Sequence, residues 1–310
     1  MKSGVSCLGR GSSEVFSSDY LHYNPSPEPY PGAWQVRRSN FPDRITFYYP
    51  RRTIPVTVTG QRCSLNCAHC GGYYLRGMSS PKAAMKGLVG EGVTSFLVSG
   101  GCDRQGRIPL LQAQDTIAAL AEKGRLNLHV GLVGEAEARF LSPYAERVSF
   151  DFVTDTTTIQ EVTGLSVTGE DYTRSYRCLR EHLQVVPHLC VGLWRGRIHG
   201  EYEAVETLKE IGLETLVLII FTPTRGTKYQ DCRPPSLDQV GDFFQWVRKT
   251  LPRVPILLGC MRPGGSYRRA VDQLAVRCGL NGIVQPTLPA RRLAVRYGLS
   301  VVTAEECCVF

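Results

Sequence analysis

The 310-residue sequence lacks a long apolar run: no stretch approaches the roughly 20 consecutive apolar residues that a membrane-spanning helix needs. Its first ten residues, which include Lys2 and Arg10, are too polar for a secretory signal peptide. Twelve cysteines without an export signal favour a reducing compartment over a disulfide framework. We therefore expect a cytoplasmic protein that contacts no membrane.

The sequence also lacks the features of a nucleic-acid platform. Its formal net charge is +8, but the pairs Arg268-Arg269 and Arg291-Arg292 have no aromatic residues between them to stack on bases. The positive charge indicates either an ordinary solvated surface or an acidic protein partner such as a carrier protein. No nucleic-acid partner is expected.

What the sequence does have is three cysteines at C-x3-C-x2-C spacing, Cys63, Cys67 and Cys70. Three thiols in one loop can bind three irons of a [4Fe–4S] cluster and leave the fourth iron open for chemistry. Zinc is an alternative, but zinc motifs usually bring a second C-x2-C or H-x3-H pair, and none follows within about thirty residues. His69 is a weak fourth ligand because Cys67 and Cys70 flank it tightly. A set of buried free thiols is the other alternative.

The rest of the chain predicts an arm, a barrel and a tail. Residues 1–50 are rich in Pro, Ser and Tyr and predict an extended arm with a short helix near 14–22. From residue 54, apolar runs alternate with amphipathic stretches, which is typical of βα units. The pattern predicts an α/β fold, a (β/α)8 TIM-type barrel over 51–298, with a partial six-strand barrel as the alternative and a Cys-containing tail at 299–310. Predicted strands are 54–59, 95–99, 126–132, 147–152, 184–193, 215–221, 254–259 and 282–284.

In such a barrel the chemistry lies where the strands end. Ser99-Gly100-Gly101 follows the second strand, and its glycines permit either a close backbone approach to a ligand or an ordinary turn. Asp155 follows the fourth strand and is either a ligand contact or a helix N-cap. Single cysteines lie at or just beyond the ends of strands two, five and seven, and each is by itself more typical of a small buried apolar residue. These cysteines are Cys102, Cys190 and Cys260.

The C-x3-C-x2-C motif after a strand resembles the signature of the radical S-adenosylmethionine (SAM) superfamily. The resemblance implies that Cys63, Cys67 and Cys70 are catalytic, holding a [4Fe–4S] cluster whose open iron binds SAM, which is cleaved to a 5′-deoxyadenosyl radical. The position before the last cysteine is usually aromatic in that family, and here it is His69. The resemblance also implies a set of cofactor-binding residues, namely His69, Ser99, Gly100, Gly101, Asp155, Gly192, Thr222 and Pro223.

Longer runs resemble a biotin-synthase-like group that includes a subunit of the two-protein lipoyl synthase of archaea and some bacteria. They are Cys67-Ala-His-Cys-Gly-Gly-Tyr-Tyr-Leu-Arg-Gly-Met, Gly259-Cys-Met-Arg-Pro-Gly-Gly and Asn281-Gly-Ile-Val-Gln-Pro. In this group, a histidine before the last cysteine is an expected variation.

This finer resemblance implies sulfur insertion into an octanoyl chain on a lipoyl-carrier protein. It also implies a partner radical SAM subunit and a reductant such as ferredoxin or flavodoxin. The sulfur would come from an auxiliary iron–sulfur cluster on Cys102, Cys190 and Cys260, with Cys307 or Cys308 as a further candidate ligand.

Two other hypotheses remain open. One is a radical SAM enzyme that acts on a small molecule without sulfur insertion. The other is a non-catalytic iron–sulfur or zinc-binding interaction protein.

Overall fold

The computed structural model describes residues 28–87 and 92–310, and it places ten parallel strands in one sheet. The sheet order is β10-β1-β9-β8-β7-β6-β5-β4-β3-β2, so the strands from β2 to β9 are neighbours in chain order. The strands are β1 Arg44–Tyr48, β2 Thr53–Thr57, β3 Ser95–Ser99, β4 Arg125–Val130, β5 Arg147–Asp151, β6 Val185–Val191, β7 Leu216–Ile220, β8 Ile256–Leu258, β9 Gly282–Val284 and β10 Ser300–Ala304.

Helices connect most of these strands and cover one face of the sheet. They are α1 Pro31–Asn40, α2 Pro81–Gly87, α3 Gln114–Ala121, α4 Glu135–Leu141, α5 Thr156–Thr163, α6 Gly169–His182, α7 Glu201–Ile211, α8 Leu237–Thr250, α9 Gly265–Arg277 and α10 Leu288–Arg296. In the described ranges, no helix is long and apolar enough to cross a membrane.

Helix α8 shows how the sequence determines these elements. Ser236 precedes the helix, its Oγ accepts from Gln239 N at 3.2 Å, and Gln239 Oε1 accepts in return from Ser236 N at 3.2 Å. This reciprocal capping satisfies backbone groups that the helix start would leave unpaired. The apolar side of the helix buries Phe243, Phe244 and Val247 completely against the sheet.

Strand residues alternate between the helix-covered core and the barrel interior. In β4, Leu126, Leu128 and Val130 belong to the main core, whereas Asn127 and His129 point to the other face. The interior face is therefore polar in this part of the sheet, and polar side chains from neighbouring strands meet there.

All eight predicted strands are confirmed within a few residues at each end. Among the described residues, β2 and β10 are the two edges of the sheet and do not pair with each other, so the sheet is a curled partial barrel. Strands β1 and β10 were not predicted; β1 lies between β9 and β10 and pairs with both.

The predicted arm ends earlier than residue 50. Residues 31–48 contain α1 and β1, with Ala33 and Arg37 fully buried. Arg37 donates to Pro42 O at 3.2 Å and to Arg44 O at 2.6 Å, which fixes the turn between the two elements. The remainder, including the helix predicted near 14–22, lies outside the described residues.

Residues 305–310, which we call the tail plug, fill the end of the barrel where the strands begin. Arg52 N donates to Glu305 O at 2.9 Å, and Arg125 forms a 2.6 Å salt bridge with Glu306. Cys308 and Val309 are buried in an interior cluster with Val186, Val217, Leu257 and Val284. This end of the barrel is therefore occupied by the chain itself.

Candidate functional site: a cysteine loop at the strand ends

Cys63, Cys67 and Cys70 lie on the loop of residues 61–72, the cysteine loop, which follows β2. Three hydrogen bonds fasten it to separate segments. Ala68 N donates to Val162 O at 2.7 Å, Tyr229 N donates to Ala68 O at 2.8 Å, and Ser64 N donates to Cys102 O at 2.7 Å. The predicted catalytic cysteines are thus held at the strand ends by α5 and by the loops after β3 and β7.

The three thiols share one environment. Burial raises the pKa of Cys67 to about 12, with smaller contributions from Cys70 and Cys63, and burial also raises the pKa of Cys70. Thiols in this setting bind a metal only if its positive charge offsets the cost of forming thiolates. The donor set therefore fits a thiophilic, positively charged centre.

The sequence favours a cluster over a single zinc ion, because no second C-x2-C or H-x3-H pair follows the cysteine loop within about thirty residues. In the described ranges, the side chains of Glu135, Glu181 and His182 on the outer surface lie close enough together to share a metal ion.

The glycines after β3 are required by the packing of the cysteine loop. A Cβ on Gly101 would lie 2.1 Å from Arg62 O and 2.6 Å from Cys63 Cα. Gly101 N donates to Thr59 Oγ1 at 2.7 Å, and Ser99 Oγ donates to His129 O at 3.1 Å. The absence of a Cβ at Gly101 lets the backbone of the cysteine loop approach β3 closely. A contact of Ser99, Gly100 or Gly101 with SAM stays a prediction.

His69 is held inside the site, where burial lowers its pKa and Asp151 opposes the shift. Its Nδ1 is buried without a hydrogen-bond partner in the described part of the chain. An unsatisfied buried nitrogen beside the three thiols suits a bound polar cofactor.

Asp155 is the N-cap of α5. Its Oδ2 accepts from Thr158 N at 2.5 Å and lies 3.1 Å from His199 Nδ1. The capping alternative is therefore observed, and a role in binding SAM stays a prediction.

Gly192 and the Thr222-Pro223 segment also have structural roles. Gly192 has a φ of +81°, and its N donates to Glu201 Oε1 at 2.7 Å. Thr222 Oγ1 donates to Ile220 O at 3.1 Å, and Thr224 Oγ1 lies 2.8 Å from Tyr74 Oη, beside the cysteine loop. Contacts of these residues with a cofactor stay predictions.

The proposed auxiliary cysteines fall into three different surroundings. Burial raises the pKa of Cys102 to about 12, and the next causes are Cys63 and Cys67, which places Cys102 with the cysteine loop. The pKa of Cys190 is raised by burial and then by Asp151. The pKa of Cys260 is raised by burial and then by Cys307 of the tail plug. An auxiliary cluster on all three stays a prediction.

Cys307 and Cys308 are adjacent thiols inside the barrel. Asn127 Nδ2 lies 3.7 Å from Cys307 Sγ, and Cys307 N donates to Thr53 Oγ1 at 2.8 Å. The pKa of Cys307 is lowered to about 7, chiefly by its hydrogen bond with Cys308. The geometry groups these two thiols with Cys260.

Three interior residues were not assigned a role from the sequence: His129, Asp151 and His188. His129 Nε2 lies 3.4 Å from Asp151 Oδ1, and Asp151 is the register partner of His188 on β6. The pKa of Asp151 falls to about 2: burial, its largest cause, raises it, but the charge and hydrogen bond of His129 outweigh that. Burial lowers the pKa of His188 to about 4. The barrel interior thus holds the ionised carboxylate of Asp151 between two histidines: His129, whose pKa is raised, and His188, which is neutral at pH 7.

Comparison with known proteins gives a fold and no family. No protein-family model matches the sequence, and no curated protein matches it.

Solved structures are similar over most of the chain. Methylornithine synthase (PylB) is 15% identical, with 87% of each chain covered and a TM-score of 0.62. The FeFe-hydrogenase maturase HydG from Carboxydothermus hydrogenoformans is 14% identical over 87% of this chain and 71% of that one, with a TM-score of 0.64. The HMG-CoA lyase from Brucella melitensis is 11% identical over 84% of this chain and 93% of that one, with a TM-score of 0.51. At these identities the likeness shows the fold alone, a parallel α/β partial barrel.

Proposed function

We propose that this protein is a radical SAM enzyme. The observation that carries the proposal is the C-x3-C-x2-C loop at the end of the first barrel strand, β2, which three hydrogen bonds fasten to α5 and to the loops after β3 and β7. When bound, a [4Fe–4S] cluster and SAM would supply a 5′-deoxyadenosyl radical able to abstract hydrogen from an unactivated C–H bond.

Residues of this chain would bind the cluster and orient the cofactor. Cys63, Cys67 and Cys70 hold the cluster, Gly101 lets the cysteine loop pack on β3, and His69 presents its unsatisfied Nδ1 to the cofactor side. The polar interior around Asp151 lies between these residues and the tail plug, which leaves the strand-end side as the route for substrate.

The first experiment is anaerobic iron–sulfur reconstitution followed by reaction with SAM and dithionite. We expect about four irons per chain at the cysteine loop and release of 5′-deoxyadenosine. The triple variant Cys63→Ala/Cys67→Ala/Cys70→Ala should lose both that cluster and the product. Cys178→Ser, on the outer helix α6, is the matched control and should keep both. A wild type that holds the cluster but releases no 5′-deoxyadenosine would favour a non-catalytic iron–sulfur protein.

We further propose that the reaction is sulfur insertion into an octanoyl chain on a lipoyl-carrier protein, in the cytoplasm, with a second radical SAM subunit and a reductant such as ferredoxin or flavodoxin. Support comes from the sequence runs that resemble a lipoyl synthase subunit, from the net charge of +8, and from the additional interior thiols. The enzyme type would then be a sulfurtransferase.

This finer proposal predicts about eight irons per chain, with about four remaining in the triple cysteine variant, because each cluster has its own ligands. Mass spectrometry of the octanoylated carrier should show added sulfur when the partner subunit is present. A protein that holds one cluster only and transfers no sulfur would contradict it.

A small polar substrate is the second candidate, and the interior supports it. An octanoyl chain is apolar, whereas the space beside the cysteine loop contains His129, Asp151 and His188. This alternative predicts one cluster, and SAM cleavage that is unchanged in Cys190→Ala and Cys260→Ala.

A further inference from the structure

The outer side of the cysteine loop is surrounded by exposed arginines. Arg62, Arg76, Arg104 and Arg225, which we call the arginine rim, are all exposed, and so are Gln61, Ser64 and Asn66 of the loop itself. Arg62 directly precedes Cys63. The three thiols are therefore close to a part of the surface that carries positive charge.

The loops that carry the rim are in direct contact. Ser64 N donates to Cys102 O at 2.7 Å, which joins the cysteine loop to the loop of Arg104. Tyr74 Oη lies 2.8 Å from Thr224 Oγ1, which joins the segment of Arg76 to that of Arg225. The four arginines thus belong to one continuous set of loops around the thiols.

The charge of the rim is not neutralised within the protein. Among the described residues, none of the four arginines has a salt bridge; Arg76 lies over the Tyr73 ring at 5.5 Å. The nearby carboxylates are engaged elsewhere: Asp103 Oδ1 accepts from Gln105 N and Arg107 N at 2.9 Å each, and Glu161 pairs with Arg195. Asp231 is exposed nearby and reduces the positive charge by one.

We propose that the arginine rim is the docking surface for an acidic electron-transfer protein that reduces the centre held by Cys63, Cys67 and Cys70. This rests on the proposed function. One electron leaves the reduced carrier, which is oxidised by one electron, and enters the centre.

Charge complementarity supports this partner. Exposed charges contribute little to stability, so the charge of these arginines can be changed without expecting loss of the fold. A patch of one sign raises the rate of encounter with a partner of the opposite sign, and salt weakens the effect. The patch also borders the thiols directly, which is where an electron must arrive.

The test compares two donors on the reconstituted enzyme. Arg104→Glu/Arg225→Glu reverses the charge of two of the four rim arginines, neither of them in the cysteine loop, and Arg291→Glu/Arg292→Glu makes the same change on the remote helix α10 as a matched control. Reduced flavodoxin is the protein donor and dithionite the small one. Readouts are 5′-deoxyadenosine formation and the Kd of flavodoxin for the holoenzyme by surface plasmon resonance, at low and high salt.

We expect the rim variant to lower the flavodoxin-driven rate and affinity by about tenfold or more at low salt, since steering of this kind spans factors of ten and above. High salt should reduce the difference between the rim variant and wild type in flavodoxin-driven rate and affinity. The dithionite-driven rate and the α10 variant should match wild type.

Other outcomes overturn the inference. If dithionite supports the reaction and the Kd of flavodoxin changes neither with salt nor in the rim variant, the rim is not the donor's docking surface, while the proposed function stands. If the rim variant weakens binding of an acidic octanoylated carrier but not of flavodoxin, the rim serves the substrate protein instead. If neither donor yields 5′-deoxyadenosine, the proposed function itself fails.

Discussion

Gly101 is the residue on which the geometry of the cysteine loop depends most visibly. We predict that Gly101→Ala displaces the loop, because the new Cβ would meet backbone atoms of Arg62 and Cys63 at 2.1 and 2.6 Å. Overpacking of this kind costs about 1–3 kcal/mol. Iron content after reconstitution should fall, together with the urea midpoint. Gly77→Ala, at an exposed position where nothing lies within 4 Å of the added Cβ, is the control and should leave both unchanged.

The His129–Asp151 pair predicts a pH-dependent contribution to stability. The pKa of His129 is raised above 6.5 by Asp151 against the opposing effect of burial, so its contribution is complete below pH 6.5 and is lost as pH rises through the raised pKa. The pKa of Asp151 falls from 3.8 to about 2, so its contribution is complete above pH 3.8 and is lost at lower pH. The pair should therefore stabilise most between pH 3.8 and 6.5.

Thermal unfolding of wild type and His129→Gln should differ most near pH 5.5 and least near pH 8.5. The other groups facing His129 are Ser99, His188 and Cys307, of which Ser99 does not titrate. His188→Gln reports the contribution of the neighbouring ring. A difference in unfolding temperature that stays constant between pH 5.5 and 8.5 would contradict a pH-dependent contribution of the His129–Asp151 pair to stability.

Arg262, in the run Gly259-Cys-Met-Arg-Pro-Gly-Gly, has a structural role. Its Nε lies 2.6 Å from Asp272 Oδ1, with both side chains fully buried, and its other nitrogens donate to Gly259 O and Val284 O. Asp272→Ala leaves a buried unpaired charge, which typically costs about 3–5 kcal/mol. Chemical denaturation should show this loss, whereas a near-neutral result would mean that Arg262 reorients to water.

At the level of elements, the tail plug is the feature that joins the two edges of the sheet. Deletion of residues 305–310 exposes Val186, Val217 and Leu257 and removes the buried side chains of Cys308 and Val309. The loss should be on the order of 3 kcal/mol, because full burial of one such side chain contributes about 1.5–3 kcal/mol. A lower urea midpoint would support this. Leu288→Ser, at a position 53% exposed, is the control expected to change little.

The elements that the sequence predicted are those with strong local signals. β2 to β9 have clear apolar runs, so their predicted ranges agree with the structure to within a few residues. α5 has a weak local signal because its sequence, Thr156–Thr163, contains four threonines, which have low helix propensity; the Asp155 cap and the αL conformation of Gly164 define it instead. β10 was missed because its five residues carry no buried face.

Part of the candidate site could likewise be predicted from local sequence, and part could not. The grouping of Cys63, Cys67 and Cys70 could be predicted because the three lie within eight residues of sequence and need only one loop. The group of His129, Asp151 and His188 could not, because its members come from three strands and meet only once the sheet register is known. Alternate polar positions on successive strands were the available signal. The arginine rim likewise needs three loops to be placed side by side.

At the scale of the whole molecule, the edge strands of an open parallel sheet should open with a smaller free energy than its central strands. β6 and β7 are buried and paired on both sides, whereas Val301 and Val302 of the edge strand β10 are 38% and 42% exposed. Native-state hydrogen exchange should therefore be faster in β10 than in β6 and β7, because edges open with smaller free energies. Equal protection in all three would indicate that the tail plug makes the sheet one cooperative unit.

The position of β1 has a consequence for the newly made chain. β1 pairs with β9 and β10, as in Thr46 with Gly282 and Ile45 with Val301, while β2 to β9 can assemble in the order of their synthesis. β1 leaves the ribosome before β2 to β8 and must therefore remain unpaired until β9 and β10 have been made. Contacts this distant along the chain slow folding and leave apolar surface uncovered meanwhile. A translation product that stops before residue 282 would keep Ile45 and Phe47 without partners, which makes it a substrate for chaperones and proteases rather than a smaller folded protein.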